Sequence, residues 1–257
     1  MSTRDPPRKY RIYPAYCFRA SPTYNAWVKL TVADVQALRS EPEFKAQRIY
    51  FHLNHPIRYV RLVGVVVAID DINAKYTVLT IDDGSGATVE VKIIRLTPEV
   101  YDPVESPSNT VLDNVEVISR LGAFEVTVDH HPLDIGTVIK AKCTLSEFRG
   151  QKQLELKRVW IVPTTDEEVR AWAETAAFKR DVLSIPWHID STLHKKIKKE
   201  EKADRRKADE NERLRSEHNL KQRIRRKARD EYNMKRNVRL EARRRKEEII
   251  MNAGALI

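Results

Sequence analysis

Five stretches between residues 55 and 162 alternate apolar and polar positions at a period of two, the spacing of a strand with one buried face. The first, HPIRYVRLVGVVVAID, is rich in β-branched residues and holds Gly64, which in a strand interior marks a bulge or a sharp bend. YTVLTI and TVEVKII follow, joined by DDGSGA, and read as a hairpin with Val89, Val91 and Ile93 on one face and Glu90 and Lys92 on the other. In TVIKAKCTL, Ile139, Ala141, Cys143 and Leu145 alternate with Lys140, Lys142 and Thr144. SEFRGQKQ turns the chain through Gly150, and LELKRVWIV is the last strand. The predicted strands lie at 57–69, 75–81, 87–94, 137–146 and 152–162. The segment between the third and fourth contains TPEVYDPVESPSNT with its three prolines, and predicts a loop followed by a short helix near 111–121. A coiled first strand and an irregular insertion before the fourth predict a mainly β chain. They fit a closed five-stranded Greek-key barrel better than a doubly wound sheet.

Helical spacing occurs elsewhere. Thr31 caps VADVQALR, where Val32, Val35 and Leu38 recur on one face. After Pro163, Thr164 or Thr165 starts a helix with Asp166, Glu167 and Glu168 in its first turn, predicted to run to about Leu183. Val169, Trp172, Ala173, Ala176 and Leu183 form one apolar stripe, while Ala171, Phe178 and Val182 fall on the opposite side. One face can pack on the barrel, and the other then needs a second surface, most simply a partner protein. SIPWHIDS breaks this helix. Residues 193–248 are dominated by Lys, Arg and Glu without a sustained heptad, and predict an extended charged helix or a disordered arm. The organisation that follows is an N-terminal extension (1–23), a barrel (24–163), a partner-binding helix (164–187) and a basic tail (188–257).

Charge sharpens this division. Residues 1–192 hold 24 basic and 25 acidic side chains, whereas 193–257 hold 23 and 12, so the net +10 of the chain resides in the tail. The barrel has no global positive field, and any binding of nucleic acid by it must come from local placement. The tail runs KKIKK, RIRRKAR and RRRK suit nuclear import, phosphate contact or solubility. Two cysteines, Cys17 and Cys143, are too few for a disulfide framework or a cysteine zinc site. With no apolar leader and no run near the roughly 20 apolar residues of a membrane span, the expectation is a soluble intracellular chain with no membrane partner.

The adjacent carboxylates Asp82 and Asp83 before Gly84-Ser85-Gly86 invite metal or phosphate readings. Neighbouring strand residues point to opposite faces, which disfavours joint ligation of one ion, and a strand rather than a helix follows the glycines. Turn chemistry accounts for the residues best. A two-metal nuclease using Asp70, Asp71, Asp82 and Asp83 is the enzymatic alternative, and no His or Glu stands at a supporting interval. His52-x-x-His55 and His130-His131 read as surface or core histidines, so no catalytic residue, metal or cofactor is expected.

Single-stranded nucleic acid is held by cations along its phosphates and by rings stacked on its bases, and such barrels use strands two and three with the first and last hairpin loops. The candidates are Lys75 and Tyr76 in the first loop, Lys92 and Arg95 on the third strand, and Phe148, Arg149 and Lys152 in the last loop.

VKLTVADVQAL, FHLNHPIRYVRLVGVVVAIDD, YTVLTIDDGSGATVEV, DIGTVIKAKCTL and the helix ending FKRDVLS together resemble the fungal Stn subunit of the telomere-capping CST complex, a relative of the middle subunit of replication protein A. The resemblance covers about residues 24–187 and implies an OB-fold barrel followed by a C-terminal helix. It implies a non-enzymatic protein of the nucleus and telomeric chromosome region that binds single-stranded telomeric DNA. It also implies pairing with the small OB-fold Ten subunit, largely through that helix, and assembly with the large CST subunit. Relatives reach the polymerase alpha-primase complex through winged-helix domains, where this chain shows the charged tail. A general replication-protein-A-like subunit is the alternative among binding proteins.

Overall fold

The computed structural model describes residues 10–96, 108–120 and 123–254. The chain divides into two compact units, 1–194 and 195–257. In the first, β1 (Val28–Lys29), α1 (Val32–Ala37), β2 (Arg39–Ser40), β3 (Tyr50–His52) and β4 (His55–Ile57) lead into the long β5 (Tyr59–Asn73), β6 (Tyr76–Asp82) and β7 (Thr88–Ile94). Then come β8 (Val115–Arg120), β9 (Ala123–Val128) and β10 (His131–Pro132), followed by β11 (Val138–Phe148), β12 (Gln151–Ile161) and α2 (Thr165–Phe178).

The main sheet runs β1-β5-β11-β12-β7-β6, and β5 also pairs with β6, so five strands close into an OB-like ring. The seam is narrow: β12 and β7 meet in parallel through Leu154↔Val91 and Glu155↔Lys92. Inward residues at alternate positions, among them Leu62, Leu79, Ile81, Ile93, Ile139, Cys143 and Leu154, form one buried core. Burial pushes the Cys143 thiol upward from its ordinary pKa, so it behaves as a small apolar group. Gly64 sits where β5 passes from β11 to β6. A Cβ there would lie 2.5 Å from the Asp82 carbonyl oxygen, which is why this bend takes glycine.

The predicted short helix near 111–121 is corrected: residues 115–120 are a strand, paired with β9, which in turn pairs with β10, in a separate three-stranded sheet. Val115, Val117, Val126 and Val128 are buried at period two, which only a strand pair provides, and they extend the barrel core. Most of the proline-containing loop lies outside the described residues.

The DDGSGA turn reaches beyond its own hairpin. Gly84 and Gly86 take positive φ, Gly84 N–H donates to Asp82 Oδ1 (2.8 Å), and Ser85 N–H donates to Asp83 Oδ1 (3.1 Å). Asp83 Oδ2 also accepts from Val32 N–H at 2.8 Å, and Ser85 Oγ from Ala33 N–H at 3.0 Å. Thr31 Oγ1 takes the Asp34 amide. Three orphan amides of the first turn of α1 are thereby satisfied, two of them by a hairpin some 50 residues away.

Residues preceding the barrel are folded as well. Phe18, Phe44, Ile49 and Phe51 form a second cluster, against which Trp187 packs. Asn54 exchanges two 2.8 Å hydrogen bonds with the Trp187 backbone, and His55 Nε2–H donates to the Ile185 carbonyl, which fixes the chain after α2. The second unit is helical through residue 254, part of α3 (Ser191–Gly254), with Arg213–Glu217 and Arg243–Glu247 ion pairs one turn apart. Among the described residues no helix is long and apolar enough to cross a membrane.

Candidate nucleic-acid interface and partner face

One hydrophobic-and-polar groove of about 730 Å³ crosses β6, β7 and the start of β12. The outward residues of β6 and β7 floor it, with Tyr76, Val78 and Thr80 beside Thr88, Glu90 and Lys92. Phe148 and Arg149 come from the β11–β12 turn, where Arg149 and Gly150 both take positive φ. Gln36, Gln151, Lys152 and Gln153 complete one side, and Asp70 and Ile72 the other. Phe148 and Ile72 are each 58% exposed, so the groove has apolar surfaces against which planar groups can stack.

Five of the seven candidate contacts meet here: Tyr76, Lys92, Phe148, Arg149 and Lys152. The Lys92 ammonium lies 4.9 Å from the Tyr76 ring centroid and the Arg149 guanidinium 5.1 Å from that of Phe148. Lys152 Nζ donates to the Gln36 carbonyl at 2.9 Å, and burial lowers its pKa against the opposing charge of Glu147. Asp70 and Glu90 offset part of this cationic charge, and Glu90 accepts from Gln153 at 2.7 Å.

The other two candidates stand apart. Lys75 is exposed in the β5–β6 turn, where its amide donates to Asn73 Oδ1, and it does not line the groove. Arg95 faces inward at the end of β7: its guanidinium pairs with Asp71 and donates through Nε to Thr77 Oγ1 at 2.9 Å. Ile72, Gln36 and Gln153 were not singled out in the sequence. Ile72 could have been found from the period-two run after Gly64, whereas Gln36 reaches the groove only because α1 packs beside β7 and β12.

The four aspartates of the nuclease alternative are dispersed among other tasks. Asp71 pairs with Arg95, Asp82 and Asp83 hold turn and helix amides, and Asp70 lines the groove. Among the described residues no three His, Cys, Asp or Glu side chains gather into a metal-binding group. His55 is a core histidine, its pKa lowered by burial.

The helix after the barrel resolves into two faces. Thr164 Oγ1 accepts from Glu167 N–H at its start. Ala171 is buried, Phe178 packs against the core, and Arg61 joins the helix through the Ala171 carbonyl and Glu174. Hydrogen bonds from Lys29 and Arg61 hold the Glu174 carboxyl below its usual range. Val169, Trp172, Ala173 and Ala176 form the exposed face, with Trp172 at 47%. Trp172 and Glu168 border a hollow of about 530 Å³ with Val65, Val67 and the Asp82–Gly84 turn.

Leu183 is a correction: placed with Trp172 by helical spacing, it is fully buried in the barrel core. Residues Lys179–Leu183 form a π turn, with Ser184 N–H donating to the Lys179 carbonyl five residues back. Twelve residues at about 100° each would leave Leu183 roughly 120° from Ala171, and the one extra residue returns it by about 100°. Phe178 and half-buried Val182 likewise lie off the exposed face.

With this geometry in place, similarity to known proteins is informative. The family described as telomere regulation protein Stn1 matches residues 5–97. Over those residues the chain resembles that family. It is 24% identical over 178 residues to the CST complex subunit STN1 of Bos taurus, covering 68% of this chain and 47% of the relative. Protein stn1 of Schizosaccharomyces pombe is also 24% identical, over 164 residues, covering 64% and 42%. The chain thus spans about half the length of the curated relatives it matches. A crystal structure of yeast Stn1 and Ten1 superposes with a TM-score of 0.51 at 17% identity, over 74% of this chain and 91% of the matched one. That likeness concerns the fold.

Proposed function

We propose that this chain is a telomere-capping subunit that binds single-stranded telomeric DNA in the β6–β7–β12 groove. The observation that carries the reading is the groove itself, where Tyr76 and Phe148 stand beside Lys92 and Arg149 on an OB-like barrel. Bases stack on the rings and on Ile72, while the cations track phosphates. With Asp70 and Glu90 opposing three cations, stacking outweighs charge, and the salt dependence of the groove is shallow, at most about two in log–log slope.

A small Ten-type OB subunit covers the Val169–Trp172–Ala173–Ala176 face, and the large CST subunit completes a nuclear assembly at chromosome ends. This part rests on the unpartnered aromatic on α2 and on the names of the relatives. Contacts with polymerase alpha-primase belong to the same reading.

Fluorescence anisotropy with labelled telomeric and scrambled single strands, with and without the small subunit, tests it. Phe148→Ala should weaken binding about 5- to 150-fold, the range of one lost base stack. Equal affinity for both sequences would favour a general replication-protein-A-like role. Unchanged affinity in Phe148→Ala and Arg149→Gln would remove the groove assignment.

A further inference from the structure

The outer face of β5, β11 and β12 breaks a rule of sheet stability. Arg61, Lys142 and Arg158 lie directly opposite one another on three adjacent strands, in registers Arg61↔Lys142 and Lys142↔Arg158. Like charges so placed are destabilising. Of the three, only Arg61 meets a carboxylate, Glu174, which it shares with Lys29, and no carboxylate among the described residues forms an ion pair with Lys142 or Arg158.

Around this row the surface alternates cations with half-buried rings. Lys142 Nζ lies 5.5 Å from the Trp27 ring centroid and 5.4 Å from that of Trp160, between two indoles. Lys140 Nζ is 5.5 Å from the centroid of Trp160, and Tyr59 lies 5.0 Å from Trp27. Strand register makes this an outward face, because the alternate positions Ile139, Ala141 and Cys143 are fully buried. Trp160 is seven residues along β12 from Gln153, a groove residue, which separates the two surfaces by roughly 23 Å of strand.

We infer that this face is a second contact surface for a single-stranded nucleic acid, taking phosphates on Lys140, Lys142 and Arg158 and bases on Trp160 and Trp27. A polyanion is the occupant that relieves the like-charge row, and flat bases are the groups that ordered indoles hold without further loss of side-chain freedom. The inference extends the single-strand reading of the groove to a longer strand.

The test uses the full chain, tail included, with oligothymidines of about 6 and about 24 nucleotides, the shorter matching one barrel site. Lys140→Gln/Lys142→Gln, a polar replacement that keeps both positions hydrophilic, should weaken binding of the long strand at least about 5-fold. It should also reduce the log–log salt slope by about 1.4, the release expected for two phosphates of a single strand. Trp160→Ala, checked for a native unfolding transition, should do the first without the second. Binding of the short strand should be unchanged in all variants.

Long-strand affinity and salt slope both equal to those of the parent chain would overturn the inference. So would equal weakening of short and long strands, or loss of binding to an acidic peptide such as polyglutamate with strand binding intact. Should Phe148→Ala weaken binding while the lysine variant does not, the outer surface fails and the groove stands. The reverse result would leave the outer surface and remove the groove.

Discussion

Replacing Asp83 with alanine separates the structural meaning of the paired carboxylates from a catalytic one. The two aspartates differ sharply in what they hold: Asp82 Oδ1 accepts from the Gly84 amide, whereas Asp83 accepts from Ser85 N–H, Ser85 Oγ–H and the Val32 amide at the start of α1. Loss of a helix-capping acceptor costs about 1 kcal/mol, and bonds to a charged group about 1.5–3 kcal/mol, without simple additivity. Asp83→Ala should therefore lose about 2–3 kcal/mol and Asp82→Ala about 0.5–1 kcal/mol. Asp83→Asn, which keeps one acceptor, should fall between them. Urea unfolding followed by tryptophan fluorescence reads this directly. At a denaturant slope near 2 kcal/mol/M the midpoint should drop by about 1–1.5 M for Asp83→Ala, with the slope unchanged. Equal losses for the two alanine variants would refute the role of the hairpin turn in holding α1.

Gly64→Ala should destabilise by about 1–3 kcal/mol through collision with the Asp82 carbonyl, seen as a lower thermal midpoint; a neutral substitution would show that β5 and β6 can separate there without cost. Trp172→Glu should leave the unfolding free energy within about 0.5 kcal/mol while ending copurification with a Ten-type subunit, whereas Phe178→Glu should lose about 3 kcal/mol or more by charging a site packed on the core. Equal stability of these two variants would contradict the assignment of the helix faces. His55 has a folded pKa lowered by burial, so its contribution is fully present above the ordinary value of 6.5 and is lost as pH falls through the folded pKa. His55→Gln should give a shallower fall of stability below pH 6.5; parallel curves for the two proteins would exclude His55 as a source of that slope.

The alternating pattern of the chain determined by itself where the five barrel strands lie and which face of each is buried. The third predicted strand, 87–94, is observed as Thr88–Ile94, and the fifth, 152–162, as Gln151–Ile161, because a one-residue slip would turn every core side chain outward. Turn chemistry was equally local: aspartate side chains and positive-φ glycines fold DDGSGA regardless of what lies nearby. Capping threonines before α1 and α2 were legible for the same reason.

Tertiary structure decided what depends on distant partners. Arg95, just past β7, shares the inward parity of Val91 and Ile93, whereas Lys92 has the outward parity of Glu90; that much was legible, and only the pairing of Arg95 with Asp71 and Thr77 needed β5 and β6 to lie alongside. The meeting of Tyr76 with Phe148 needs the closure of strands more than 70 residues apart. Leu183 left the stripe of Trp172 because one residue inserted as a π turn rotates everything after it, and periodicity carries no mark of such an insertion. Local spacing thus fixed which residues share a face, while register, closure and that single inserted residue fixed which faces meet each other and which remain exposed.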